Sequence, residues 1–184
     1  MYISPEVPKK NAEHILSQRK SFFSLKIRKK PFSLEKIELF YLPFYVFEIV
    51  CERGAEKQKM RISLDGLFGS SLFFIREGLR YKSKIDHLVS PFVLSLTDAK
   101  KKALEEFRWL LLEQGLRNKK SLSGSKITGT EKIYYPFWVG YFQKRKAYDF
   151  RALDGVSGEI AGVKMRRIFL KAFKEASDID EEAS

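Results

Sequence analysis

The hydrophobic positions of this chain form two runs of the same kind. Phe40-Tyr41-Leu42-Pro43-Phe44-Tyr45-Val46 and Tyr134-Tyr135-Pro136-Phe137-Trp138-Val139 are both aromatic, β-prone and interrupted by one proline. Each is followed by a polar loop, a shorter strand-like run, and the same ending. That ending is Leu-Asp-Gly, an apolar residue, any residue and glycine, at Leu64–Gly69 and again at Leu153–Gly158. Pro43 and Pro136 are 93 residues apart, and Asp65 and Asp154 are 89 apart. The difference falls in the intervening hairpin loop, where length changes are tolerated. A central strand cannot spare a ladder donor, so Pro43 is expected at an edge, a bulge or a strand break.

Helical spacing supplies the other elements. Ala12, Ile15 and Leu16 predict a helix from Lys9 to about Phe23. Ala103, Leu104, Phe107, Leu110 and Leu111 predict a second, from an N-cap at Thr97 to about Gln114, with Gly115 as its stop. Phe169, Ala172, Phe173 and Ala176 predict a C-terminal helix over Lys164–Ala176, followed by a disordered acidic tail, Ser177–Ser184. Met60–Leu64, Ser71–Ile75, Ala147–Leu153 and Glu159–Val163 read as strands. The segment from Glu52 to Lys59 reads as a loop bending at Gly54, and Asn118–Thr130 as a mobile polar linker. Each unit is therefore helix, strand, strand, glycine turn, strand. The expected fold is α+β: two tandem α-β-β-β repeats, residues 1–90 and 91–184, packed with pseudo-two-fold symmetry, plus the C-terminal helix; the pattern leaves open whether the halves share one sheet. Asp65, Gly66, Gly69, Asp154, Gly155 and Gly158 are assigned to the turns. Glycine accepts positive φ there, and aspartate bonds to turn amides.

Composition changes this picture little. Hydrophobic residues make up 44% of the 184, enough to fill a core and to argue against a disordered chain. The formal net charge of +12 does add something. It favours an acidic partner, although a lysine-rich soluble surface carries the same surplus. The single cysteine, Cys51, excludes an internal disulfide and fits a reducing compartment. The first residues lack a signal-peptide pattern. The longest apolar run, Ile37–Val50, is short and broken by Glu38, Pro43 and Glu48, so a cytoplasmic protein is expected.

The ending Asp154-x-x-Ser157-Gly158-Glu159-Ile160 resembles that of a PepSY-type domain. The first copy matches only at Asp65 and Gly69, with Phe68 in place of the hydroxyl. The resemblance implies a non-catalytic binding or inhibitory module, PepSY-like, taking a protein or small ligand between its halves.

No motif points to catalysis, metal or cofactor. His14 and His87 have no ligand partners at metal spacing, and Asp65 and Asp154 sit where aspartate serves a turn. The candidate ligand-binding residues are Tyr45, Trp138, Lys144, Arg145, Arg166 and Arg167. They belong equally to an alternative, a basic single-stranded nucleic-acid-binding sheet that stacks bases on Tyr41, Tyr45, Tyr135 and Trp138. That alternative requires those rings to be exposed. An oligomer is compatible with either reading.

Overall fold

The computed structural model describes residues 1–18, 33–53, 56–72, 79–82, 87–118, 123–144 and 147–182. In chain order the elements are β1 (Tyr2–Ile3), α1 (Lys9–Ser17), β2 (Leu34–Arg53), β3 (Glu56–Asp65), β4 (Ser71–Leu72) and β5 (Tyr81–Lys82). They continue with β6 (Leu88–Val89), α2 (Leu96–Asn118), β7 (Ser123–Lys144), β8 (Ala147–Asp154) and α3 (Val163–Glu182). All the strands join one eight-stranded mixed sheet in the order β4-β3-β2-β7-β1-β5, with β6 also beside β2 and β8 beside β7.

This architecture is α+β, but it corrects the tandem α-β-β-β units. β2 and β7 are 20 and 22 residues long. They pair with each other antiparallel from Leu34↔Phe142 to Glu52↔Ser123. Strands of this length replace the short strands of the expected units, and through them the two halves share one sheet, a point the repeat pattern leaves open. Of the third strand expected in the first unit, Ser71–Leu72 forms β4 and the rest lies outside the described residues; in the second unit it shrinks to a single bridge, Leu153↔Ile160. Ser123–Thr130, expected as a linker, opens β7, because β2 pairs with it across two register shifts, at Glu48/Ile49 and Cys51/Glu52. α2 passes through Gly115 and is capped by Ser95 rather than Thr97: the Ser95 hydroxyl accepts the Asp98 amide at 3.1 Å. α3 absorbs the first part of the acidic tail. The basic cluster Lys26–Lys30, Gly54, Phe73–Ile75, Lys119, Lys120 and Arg145 lie outside the described residues.

Pro43 and Pro136 lie inside the two central strands, against the expectation of an edge or break. In a strand, the amide and carbonyl of one residue point to the same side. The Pro43 carbonyl faces the outer side of β2, where it accepts the Gly66 amide at 2.8 Å. That position falls between the end of the β6 pairing at Tyr41 and the start of the β3 pairing at Phe44. Pro136 accepts Gly155 N at 2.9 Å in the corresponding gap, between β1 at Tyr134 and β8 at Phe137. Each proline marks the point where one flanking strand gives way to another, so no ladder donor is missed.

Both faces of the sheet are covered, which explains why β2 reads as a nearly continuous apolar run. Alternate residues Leu39 and Tyr41, with Trp138 and Phe142, lie under Ala12 and Leu16 of α1. Further along the same face Tyr45, Phe47, Ile49 and Cys51 lie under Ala99, Ala103 and Phe107 of α2. The opposite face, including Phe40, Leu42, Phe44, Tyr135 and Phe137, packs on Met165, Ile168, Phe169 and Ala172 of α3. Among the described residues, no helix is long and apolar enough to cross a membrane.

Candidate functional site

The two Asp-Gly turns share one backbone plan. Gly69 N donates to Asp65 O, and Gly158 N to Asp154 O. Gly69 and Gly158 have φ of 75° and 77°, the left-handed region that glycine enters freely. Gly66 O accepts the amides of Val93 and Leu94, as Gly155 O accepts those of Glu6 and Val7. Each turn thus ties down a segment that leads into a helix, α2 at the first turn and α1 at the second. A ring donor then completes the tie. The Tyr45 hydroxyl donates to Leu94 O at 2.8 Å, and Trp138 Nε1 donates to Val7 O at 2.9 Å.

Tyr45 and Trp138, chosen from sequence as ligand contacts, are therefore fasteners. Tyr45 is 1% exposed and Trp138 8%. Burial raises the Tyr45 phenol above its ordinary value and keeps it a donor. Tyr41 and Tyr135 are each 1% exposed as well. None of the four rings is free to stack a base. The exposed tryptophan is Trp109 on α2, at 71%.

The turns differ in how their carboxylates are used. Asp65 is fully buried. Its Oδ1 accepts the amides of Leu67 and Phe68 at 3.0 and 2.6 Å, and its Oδ2 accepts Ser70 N at 2.6 Å. Asp154 Oδ1 accepts Val156 and Ser157 at 2.8 and 2.9 Å. The third amide, Glu159 N, goes to the Ser157 hydroxyl at 3.2 Å, which leaves Asp154 free to accept the Tyr135 hydroxyl. Phe68 stands where Ser157 stands and has no hydroxyl, so Asp65 takes all three amides. Both carboxylates are committed to donors, an arrangement that builds turns rather than moving protons.

With its amides turned inward, the Asp65 turn presents carbonyls outward, and cations take them. Lys102 Nζ of α2 donates to Phe68 O at 2.7 Å, and Lys171 Nζ of α3 reaches Leu67 O at 3.4 Å. The half-buried Phe68 ring also meets Lys171 Nζ at 4.6 Å and the Arg167 guanidinium at 4.7 Å from its centroid. Helices on opposite faces of the sheet thus send three cations to one residue. The aliphatic stem of Lys102 crosses Gly69, where an added Cβ would lie 2.7 Å from Lys102 Cδ and 2.8 Å from Leu94 Cδ2. At Gly158 the nearest atom, Val7 Cγ2, is 3.6 Å away. Gly69→Ala should therefore cost about 2 kcal/mol in chemical denaturation, and Gly158→Ala about 1 kcal/mol from its positive φ alone. Equal losses would show that Lys102 is not held there.

The remaining candidates behave differently. Arg166 is ion-paired with Asp149 at 2.7 Å, bonds to Phe150 O and lies over the Phe150 ring. Arg167 belongs to the Phe68 cluster. Lys144 ends β7, where it pairs with Ala147. A groove of about 580 Å³ between α1 and the start of β2 has Lys9 and Lys36 balanced by Glu13 and Glu35, so it selects no sign of charge. The most perturbed phenol, Tyr141, is held up first by burial, then by the hydrogen bond and charge of Glu38, and stays neutral. Among the described residues, no three His, Cys, Asp or Glu side chains gather to hold a metal.

No family model, curated protein or solved structure matches this chain. Sequence reasoning missed Lys102, Lys171 and Phe68. Its one available signal was Phe68 itself, the position where the first copy departs from the second.

Proposed function

We propose that the chain is a non-catalytic binding module that docks on the phosphate backbone of nucleic acid. The observation that carries this is the charge order of α3. Its first turn has no acidic residue and its last turn no basic one. Lys164, Arg166 and Arg167 instead crowd the N-terminus, where the helix dipole is positive and each cation is disfavoured by about 0.3–1 kcal/mol. Helix stability does not account for that order, whereas a positive end with added cations is a field for anions. Lys164, Arg167, Lys171 and Lys174 recur every three or four residues along one side of α3. Among the described residues none of the four is in an ion pair; the pairs use Lys36, Lys59, Arg61 and Arg166. Contact is through phosphate, since the rings first proposed for stacking are core. The PepSY-like reading rests on Asp154, Ser157, Gly158, Glu159 and Ile160. Those residues serve the turn and its flanks, so the likeness supports a scaffold rather than a ligand.

Lys164→Glu separates the two roles of the charge. It should raise the melting temperature slightly, by favouring the dipole, and weaken binding of labelled nucleic acid in fluorescence anisotropy. Affinity should fall linearly in log–log form as salt rises. A wild-type protein that binds neither single strand nor duplex at low salt would overturn the reading.

A further inference from the structure

We infer that the Asp65 turn is a single-strand clamp, in which Lys102 and Lys171 take phosphates and the Arg167 guanidinium, carried over the Phe68 ring, takes an unstacked base. This rests on the phosphate-docking reading of α3 and adds a site and a strand preference to it. The chain supplies its own comparison. The Asp154 turn has the same backbone-to-backbone hydrogen bonds, the same positive-φ glycine and the same proline contact, yet carries serine at the position of Phe68. It has no cation bonded to its outer carbonyls among the described residues. Turn formation therefore requires neither the ring nor the three charges. The ring packs on the core under α3, and the convergence of three cations on it is peculiar to the first turn among the described residues.

The geometry suits a strand whose bases are unpaired. A lysine ammonium over a ring face lies where a phosphate can meet it at the ring's side. Phe68 is half-buried, fixed at its amide by Asp65 and at its carbonyl by Lys102. A base that stacks on the exposed guanidinium over that ring loses no pairing partner if it is already unpaired, whereas a duplex must first open. Lys102 is held in place by its path over Gly69, so little ordering remains when a phosphate arrives.

The probes are labelled oligothymidylate and a labelled duplex of equal length, titrated into the full chain by anisotropy across a salt series. Phe68→Leu should weaken oligothymidylate binding about tenfold and leave the duplex unchanged. Lys102→Gln should weaken binding and lower the single-strand salt slope by about 0.7. If folded Phe68→Leu binds oligothymidylate like wild type while Lys164→Glu still weakens it, the clamp is overturned and the α3 reading stands. Equal loss on duplex and single strand would overturn the strand preference. If Phe68→Leu does not fold, Lys102→Gln decides: an unchanged slope rejects the clamp. Failure of wild type to bind either probe would remove both readings together.

Discussion

Asp65→Asn should destabilise the protein by about 3 kcal/mol, while Asp154→Asn costs about 1 kcal/mol or less. The two substitutions are chemically identical, and the sequence places both residues in the same motif. The difference lies in who faces the second oxygen. At Asp65 every partner is a backbone N–H: Leu67 and Phe68 on Oδ1, Ser70 on Oδ2. An asparagine there must aim its NH2 at one donor or two, whichever way the amide is turned, in a site with no access to water. At Asp154 the NH2 can face the Tyr135 hydroxyl, which is able to rotate and accept. For a chain of this length the Asp65 change corresponds to a melting temperature about 6–12 °C lower. Equal shifts in the two variants would show that Ser70 N is not held by Asp65.

Phe169→Ala should remove about 3–5 kcal/mol, a large share of the ~5–15 kcal/mol that stabilises a domain. Phe169 is fully buried on the face of the sheet covered by α3. Its ring meets Phe137 edge-on at 5.2 Å and lies 6.2, 6.0 and 5.8 Å from Phe40, Phe150 and Phe173. Those partners come from β2, β7, β8 and α3 itself, so one truncation loosens the helix from three strands. Such rigid ring-on-ring packing collapses little, which puts the loss at the upper end of the usual range. The expected readout is a lower denaturant midpoint with an unchanged slope. A loss below about 1 kcal/mol would mean that α3 is not seated on this face.

The two predictions differ in what could be seen beforehand. Phe169 was legible, because Phe169, Ala172, Phe173 and Ala176 repeat at helical spacing and a helix with such a face must bury it. The contrast between Asp65 and Asp154 was not, because Tyr135 reaches Asp154 from 19 residues away across the sheet. Tyr45 and Trp138 misled for the same reason. An aromatic in a strand reads equally as platform or core until the helices above it are placed, and here α2 and α1 lie over them. Pro43 misled through a local rule that is sound for a strand flanked continuously on both sides. β2 is flanked by different strands on either side of that residue.

The cationic site was partly visible. Arg167 was among the candidates, and Phe68 had been noticed as a mismatch in the repeat. Lys102 was a solvated helix residue by every sequence criterion, yet it lies on Phe68 because α2 and α3 pass the same end of the sheet on opposite faces.

By itself the sequence determined what depends on near neighbours. Short-range chemistry sets the two Asp-Gly turns with their left-handed glycines, the strand character of the aromatic runs, the apolar faces of the helices and the surplus of positive charge. Tertiary structure alone decided what depends on partners far along the chain. It joined β2 to β7 in one sheet, turned an expected linker into the start of β7, and made fasteners of two candidate ligand contacts. It also brought three cations from two helices onto one phenylalanine. The physical reason is that a strand's ladder and a side chain's burial are satisfied by residues tens of positions away. Local pattern specifies that such partners are needed; only the packed chain specifies which ones they are.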